Sequence, residues 1–231
     1  MEGITQLLSI RQSQAADQGK QIYAKLPLKL QSGSIFVNEG DGWLYLSAYI
    51  CSTLFFFLAY FLIRQIFLTF NITAYINRSK ALRIRYVTLW VNNVHHLIVI
   101  PFALYSLGTA CSPNSNWPVA GVTSYFAWFS NDQCFLQFDQ NFAYAIMITN
   151  GFLTMDYVVT KYWILDRNKL SKQTEIHHIM AFSGFTISLF SGYGLPGVST
   201  CSLLCEISAI FLNYREMFGK ENMNSPLNQV N

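Results

Sequence analysis

Apolar and polar positions alternate along this chain in long blocks rather than in helical or strand-like stripes. Five apolar runs stand out, at about residues 43–63, 86–107, 141–160, 177–190 (or 193) and 198–214. At about 1.5 Å per residue the longer ones reach across a hydrocarbon layer of roughly 30 Å. The pattern predicts an all-α fold, a polytopic transmembrane helical bundle with about five spans. A polar N-terminal arm (1–41) precedes the bundle (42–218), and a polar C-terminal tail (219–231) follows it. Within the arm, residues 4–22 fit a modest surface helix. The apolar stretch 117–129 is too short to cross and predicts a re-entrant or interfacial segment. Pro101 is placed to kink the second span, and Ser191-Gly192-Tyr193-Gly194-Leu195-Pro196-Gly197 to break the chain between the fourth and fifth.

Composition agrees with the pattern. Of 231 residues, 52% are hydrophobic and 12% charged, against roughly 25% charged in soluble domains. Charge placement then sets orientation. Arg64, Arg78, Lys80, Arg83 and Arg85 follow the first span, Lys161, Arg167, Lys169 and Lys172 the third, and Arg215 and Lys220 the fifth. The loops after the second and fourth spans carry no Lys or Arg. The positive-inside rule therefore puts the N-terminus outside and the C-terminus inside for five crossings. The four basic residues of the arm pull the other way. Two glycosylation patterns, Asn71-Ile72-Thr73 and Asn77-Arg78-Ser79, fall in an inside loop and are expected to stay unmodified. No basic tract points to nucleic acid, and no apolar segment near the start reads as a cleavable signal.

The candidate chemistry lies inside the spans. His95, Asp156, His177, His178 and Glu206 form a polar intramembrane set, and such residues need a reason to be there. A cavity open to the inside face would join them. Two readings stand side by side: a His/Asp pair for proton abstraction and acyl transfer, or a satisfied network that fixes helix packing. No nucleophile is evident, so no catalytic residue is assigned. Adjacent histidines lack the i, i+4 spacing of a helical metal pair, so no metal is expected. Gly184 and Ser188 suit close helix packing. Cys111 and Cys134 flank one polar connection and fit either a disulfide, if it faces an oxidising compartment, or a pair of reduced thiols. Cys201 and Cys205, one helical turn apart, read as small packing residues.

The block from His177 to Arg215 resembles the TLC-domain family, which includes the translocating-chain-associating membrane protein, the longevity-assurance ceramide synthases and a ceroid lipofuscinosis protein. The smaller TLC-domain-containing proteins are most similar. The resemblance rests on the paired histidines, the Ser-Gly-Tyr-Gly turn (Ser191 to Gly194), Glu206 with Ser208, and the ending Phe211-Leu212-Asn213 with Arg215. Gly151-Phe152 followed by Asp156, and His95, carry it upstream, so that it covers about residues 43–218. It implies a helical bundle around a lipid-accessible cavity. The ceramide synthases carry a second acid where this chain has Cys205-Glu206-Ile207-Ser208-Ala209, and relatives continue through further spans after the residue matching Arg215. Those departures imply a non-catalytic accessory subunit that packs against other transmembrane chains of a multi-subunit complex and binds membrane phospholipid, with no other cofactor. A lipid-modifying acyltransferase of the sphingolipid class, or a regulator of membrane lipid composition, are the alternatives. The membrane is either the mitochondrial inner membrane or the endoplasmic reticulum.

Overall fold

The computed structural model describes residues 41–112, 124–135, 138–163, 169–191 and 194–223. The arm before Asp41, the stretch 117–123 and the last residues of the tail lie outside them. All of the regular structure among the described residues is helical: α1 (Asp41–Thr69), α2 (Thr73–Ile76), α3 (Lys80–Thr109), α4 (Asp132–Phe135), α5 (Gln140–Val158), α6 (Lys169–Ser191), α7 (Leu195–Ser202) and α8 (Glu206–Met223). A π-helical turn, Val159–Trp163, extends α5, and a 3-10 turn, Leu203–Cys205, joins α7 to α8.

Among the described residues, four helices are long and apolar enough to cross a membrane: α1, α3, α5 with its π turn (Gln140–Trp163), and the continuous run Leu195–Met217. The chain is thus an integral membrane protein with an all-helical polytopic fold. Of the five expected spans, the fourth differs. Its helix begins at Lys169, eight residues before His177, so the paired histidines sit more than two turns inside α6 rather than at its start. The first half of α6 carries Lys172, Glu175, His177 and His178, which leaves it too polar to qualify by composition. The fifth starts at Leu195, earlier than expected, because Pro196 occupies the first turn of α7, where its missing N–H is not needed. Helix α8 runs on to Met223, past the expected bundle edge at 218. Pro101 lies within α3, which continues through it.

The hub is α5. Its most apolar stretch is 72% buried against 11% for α1, which identifies α5 as central and α1 as peripheral. Asp139 starts α5 by accepting from the Asn141 amide at 2.8 Å, a cap that satisfies one orphan donor. Helices α1 and α5 run parallel and nearly touch at one point. A Cβ added to Gly151 would lie 1.8 Å from Ser52 Oγ and 2.8 Å from the Thr53 amide nitrogen. Only glycine admits that approach, and Ser52 Oγ donates across it to the Met147 carbonyl at 3.2 Å. Phe56 is fully buried there against Phe152.

On the other side of α5, α6 lies antiparallel along its whole length. The register is read from Lys161–Glu175 (3.8 Å), Asp156–His178 (3.1 Å) and Asn150–Thr186 (3.1 Å). Ser199 donates to Ser188 at 2.6 Å, pinning α7 to α6, so Ser188 is the packing position expected of it. Gly184 has no neighbour within this chain: a Cβ there would meet nothing within 4 Å. The end of 117–129 that is described folds inward, with Trp128 buried against Phe135 and Phe142.

Candidate functional site

The five candidate residues resolve into three neighbouring contacts. His178 Nδ1 lies 3.1 Å from Asp156 Oδ2, both side chains buried, in a close contact whose angle falls short of a hydrogen bond. Antiparallel packing of α5 on α6 aligns them. His177, next along α6, is exposed, its ring centroid 5.7 Å from that of His178.

His95 stacks face to face on Phe152, centroids 4.3 Å apart and planes within 10°. Its Nε2 sits 3.4 Å from Thr149 Oγ1, whose own proton goes to the Ala145 carbonyl at 2.9 Å. A ring so enclosed is a packing element that fixes α3 against α5. His96 Nδ1 is 3.8 Å from Glu206 Oε2, at the start of α8. Glu206 is also within electrostatic reach of His177, and Asp156 of Arg85. The five residues therefore occupy one region without converging on one point.

Residues not anticipated as site members join them. Arg85 grips Glu216 through two nitrogens, one contact at 3.0 Å and a second through Nε. Asn213 donates to Asn93 at 2.9 Å and accepts from Asn92 at 3.4 Å. Together with His96–Glu206 these pairs form a polar ladder between antiparallel α3 and α8. In sequence Arg85 reads as one more basic residue flanking a span. The available signal was the matching order of polar residues on α3 and α8, reversed as antiparallel packing requires.

The expected common cavity takes a different form. An apolar groove of about 290 Å³ runs between α5 and α6, lined by Leu153, Thr154, Tyr157, His178, Ile179, Phe182 and Ser183. Of the five candidates only His178 reaches it. Thr154 is engaged with Tyr49 at 2.9 Å, and the Tyr157 hydroxyl with Lys161. Among the described residues no hydroxyl or thiol hydrogen-bonds to His178. Nor, among them, do three or more His, Cys, Asp or Glu side chains gather as a metal site.

Cys111 and Cys134 come together with Ala127 in a small buried cluster, not joined as a disulfide, with their thiols in contact. Burial, above all, pushes both thiols up from the usual range.

An all-helical bundle with a buried His–Asp pair and a polar interhelical ladder defines a polytopic integral membrane protein. The family model for the TLC domain matches residues 85–230, more than half of the chain, and the chain belongs to that family. The match begins in α3, so α1, inside the resemblance read from residue 43, lies outside it. Comparison with curated proteins and with solved structures gave no match.

Proposed function

We propose that this TLC-domain chain is a non-catalytic accessory subunit that packs against other transmembrane chains and holds lipid between them. The polar ladder carries the reading. Arg85–Glu216, Asn93–Asn213 and His96–Glu206 are spent on holding α3 to α8. An interhelical hydrogen bond within a membrane is worth only about 0.6 kcal/mol on average. Such contacts therefore specify helix register more than they stabilise it, which suits a scaffold. The exposed apolar faces add support: the crossing stretch in Leu195–Met217 is only 22% buried within the chain, and that in α1 only 11%. Lipid and neighbouring helices are the natural cover.

The native size of the species after mild detergent extraction tests this. Migration with a large complex is the expected outcome, and a monomer or small homo-oligomer would sink the subunit role. A respiratory-type assembly of the mitochondrial inner membrane fits this reading, and the endoplasmic reticulum fits the enzyme alternative; fractionation separates them.

One observation favours a second reading. His178, braced by Asp156, opens on the apolar groove, an arrangement in which an imidazole base could deprotonate an acyl acceptor. Under that reading His178→Ala and Asp156→Asn abolish lipid acyl transfer while the assembly stays intact. Under the subunit reading both variants leave cellular function unchanged wherever the fold survives.

A further inference from the structure

A larger cleft lies at the basic end of the bundle, away from the histidines. It encloses about 610 Å³ between the last turns of α1, the start of α3 and the π turn after α5. Its walls carry three cations, Arg64, Lys80 and Arg83. None of the three faces a carboxylate among the described residues, and Arg83 spends only its Nε, on the Arg78 carbonyl at 3.0 Å. The remaining guanidinium and ammonium donors have no partner among the described residues, and none of the described residues lining the cleft is an acid.

The rest of the wall is aromatic and apolar: Tyr60, Phe61, Tyr75, Ile84, Tyr162 and Trp163. The π-helical turn Val159–Trp163, a distortion often found at functional sites, delivers Tyr162 and Trp163 there. Trp163 is held in place by Tyr60 and Phe61, with ring centroids 5.3 and 5.8 Å away. Phe61 and Leu62 are exposed on the lipid-facing side of α1, so the cleft is continuous with the acyl-chain layer.

We propose that this cleft is a binding site for the headgroup of an anionic phospholipid, with Arg64, Lys80 and Arg83 on the phosphate and the acyl chains passing over Phe61 onto the surface of α1. The chemistry agrees on each count. Basic pockets between transmembrane helices on the inner side take anionic headgroups, and Trp and Tyr settle at the membrane–water interface. The space exceeds what an inorganic phosphate fills, and one wall is apolar. The proposal rests on the lipid-binding half of the function proposed above, and it names where the lipid sits and what its charge is.

The test uses the full chain in mild detergent, titrated with phosphatidylglycerol, phosphatidylcholine or inorganic phosphate, with lipid retention read by native mass spectrometry. Wild type is expected to retain phosphatidylglycerol over phosphatidylcholine. A basic side chain near the headgroups contributes a factor of about five, so the double variant Arg64→Gln/Arg83→Gln is expected to weaken phosphatidylglycerol retention by roughly 30-fold. The charge-matched control Lys172→Gln/Arg215→Gln is expected to leave it unchanged. Lys80→Gln, a change at an exposed side chain, gives the same direction at about fivefold and serves if the double variant unfolds. Equal retention of the two lipids, or an equal loss in the control, overturns the site. So does displacement by inorganic phosphate at matching concentration, which would mark a free-anion site. Lipid retained without charge preference ends this proposal but spares the lipid-binding reading. A wild-type chain that retains no lipid at all ends both.

Discussion

The two ends of this bundle are built on opposite principles. At one end gather Arg64, Arg78, Lys80, Arg83, Arg85, Lys161, Lys172 and Arg215, with Glu216 and Glu175 paired to Arg85 and Lys161. That end is held by charge and aromatic stacking, and among its described residues cations exceed acids. At the other end the described residues include Asp41, Asp132 and Asp139 and no Lys or Arg. That end is held by close steric fit. Trp128 seals it, wedged among Phe135, Phe142 and the first turn of α7. The open, charged end has a cleft of about 610 Å³, and the space at the closed end is smaller, a groove of about 230 Å³ beside Gly42, Tyr45 and Leu189. A protein that must keep orientation and fold together gains from this division, because orientation needs exposed cations whereas closure needs shape.

The sharpest way to break the comparison is to overfill the closed end. A Cβ on Gly197 would lie 2.7 Å from three ring atoms of Trp128. The indole is backed by aromatic rings and cannot retreat as a flexible chain would. Gly197→Val is therefore expected to destabilise the bundle by about 1–3 kcal/mol or more, as overpacked cores do. Thermal unfolding in detergent measures it. Gly184→Val is the internal control, since its Cβ meets nothing within 4 Å, and its unfolding temperature should match wild type. Equal losses in both variants would show that the closed end is not sterically tight.

The charged end should yield less, and in a salt-dependent way. Arg85 and Glu216 are 27% and 24% exposed, so their bidentate pair is partly screened. Glu216→Gln is expected to cost no more than about 1 kcal/mol at low ionic strength. That difference should shrink as salt is raised, because exposed charges are screened within about 10 Å at 0.1 M. The Gly197→Val loss should be indifferent to salt. A Glu216→Gln loss as large as that of Gly197→Val, or one that salt leaves untouched, would refute the division.

How much of this was legible beforehand follows from what each feature depends on. The crossing helices were, because a run such as 43–63 is apolar whatever it packs against. The basic side of the membrane was too, since charge flanks spans locally. The true length of α6 was hidden: its polar first half is accommodated by Asp156 on α5 and Lys161 on the π turn, which meet His178 and Glu175 across the bundle. Distance in sequence hid the polar ladder, whose Asn93 and Asn213 lie 120 residues apart. The His178–Asp156 pairing was within reach, since both residues were candidates on adjacent helices. Of the five candidates, His178 lines the groove between α5 and α6, whereas stacking on Phe152 takes His95 into the packing, a contact that no local pattern announces. The Trp128 seal could not be read either, as a tryptophan in a loop gives no hint that a glycine some seventy positions on has left it room.

The smallest expected effect belongs to the thiols of the closed end. Burial raises Cys111 and Cys134 above the ordinary thiol range, and proximity of the pair raises Cys111 further. A group with a raised folded-state pKa binds its proton more tightly when folded. Its contribution to stability is fully present below the unfolded thiol value of about 8.5 and is lost as pH climbs above it toward the folded value. Wild type should therefore lose thermal stability between about pH 8 and 10 slightly faster than Cys111→Ala/Cys134→Ala. Tyrosines and lysines that titrate in the same window cancel in the comparison. In parallel, exposed Cys51 and Cys205 should take up a maleimide before the buried pair does. Equal slopes in the two proteins, with an intact-mass deficit of two hydrogen atoms in wild type, would mean that the pair has been oxidised to a disulfide. The closed end would then be held by a covalent staple as well as by shape, and this surface would face an oxidising compartment.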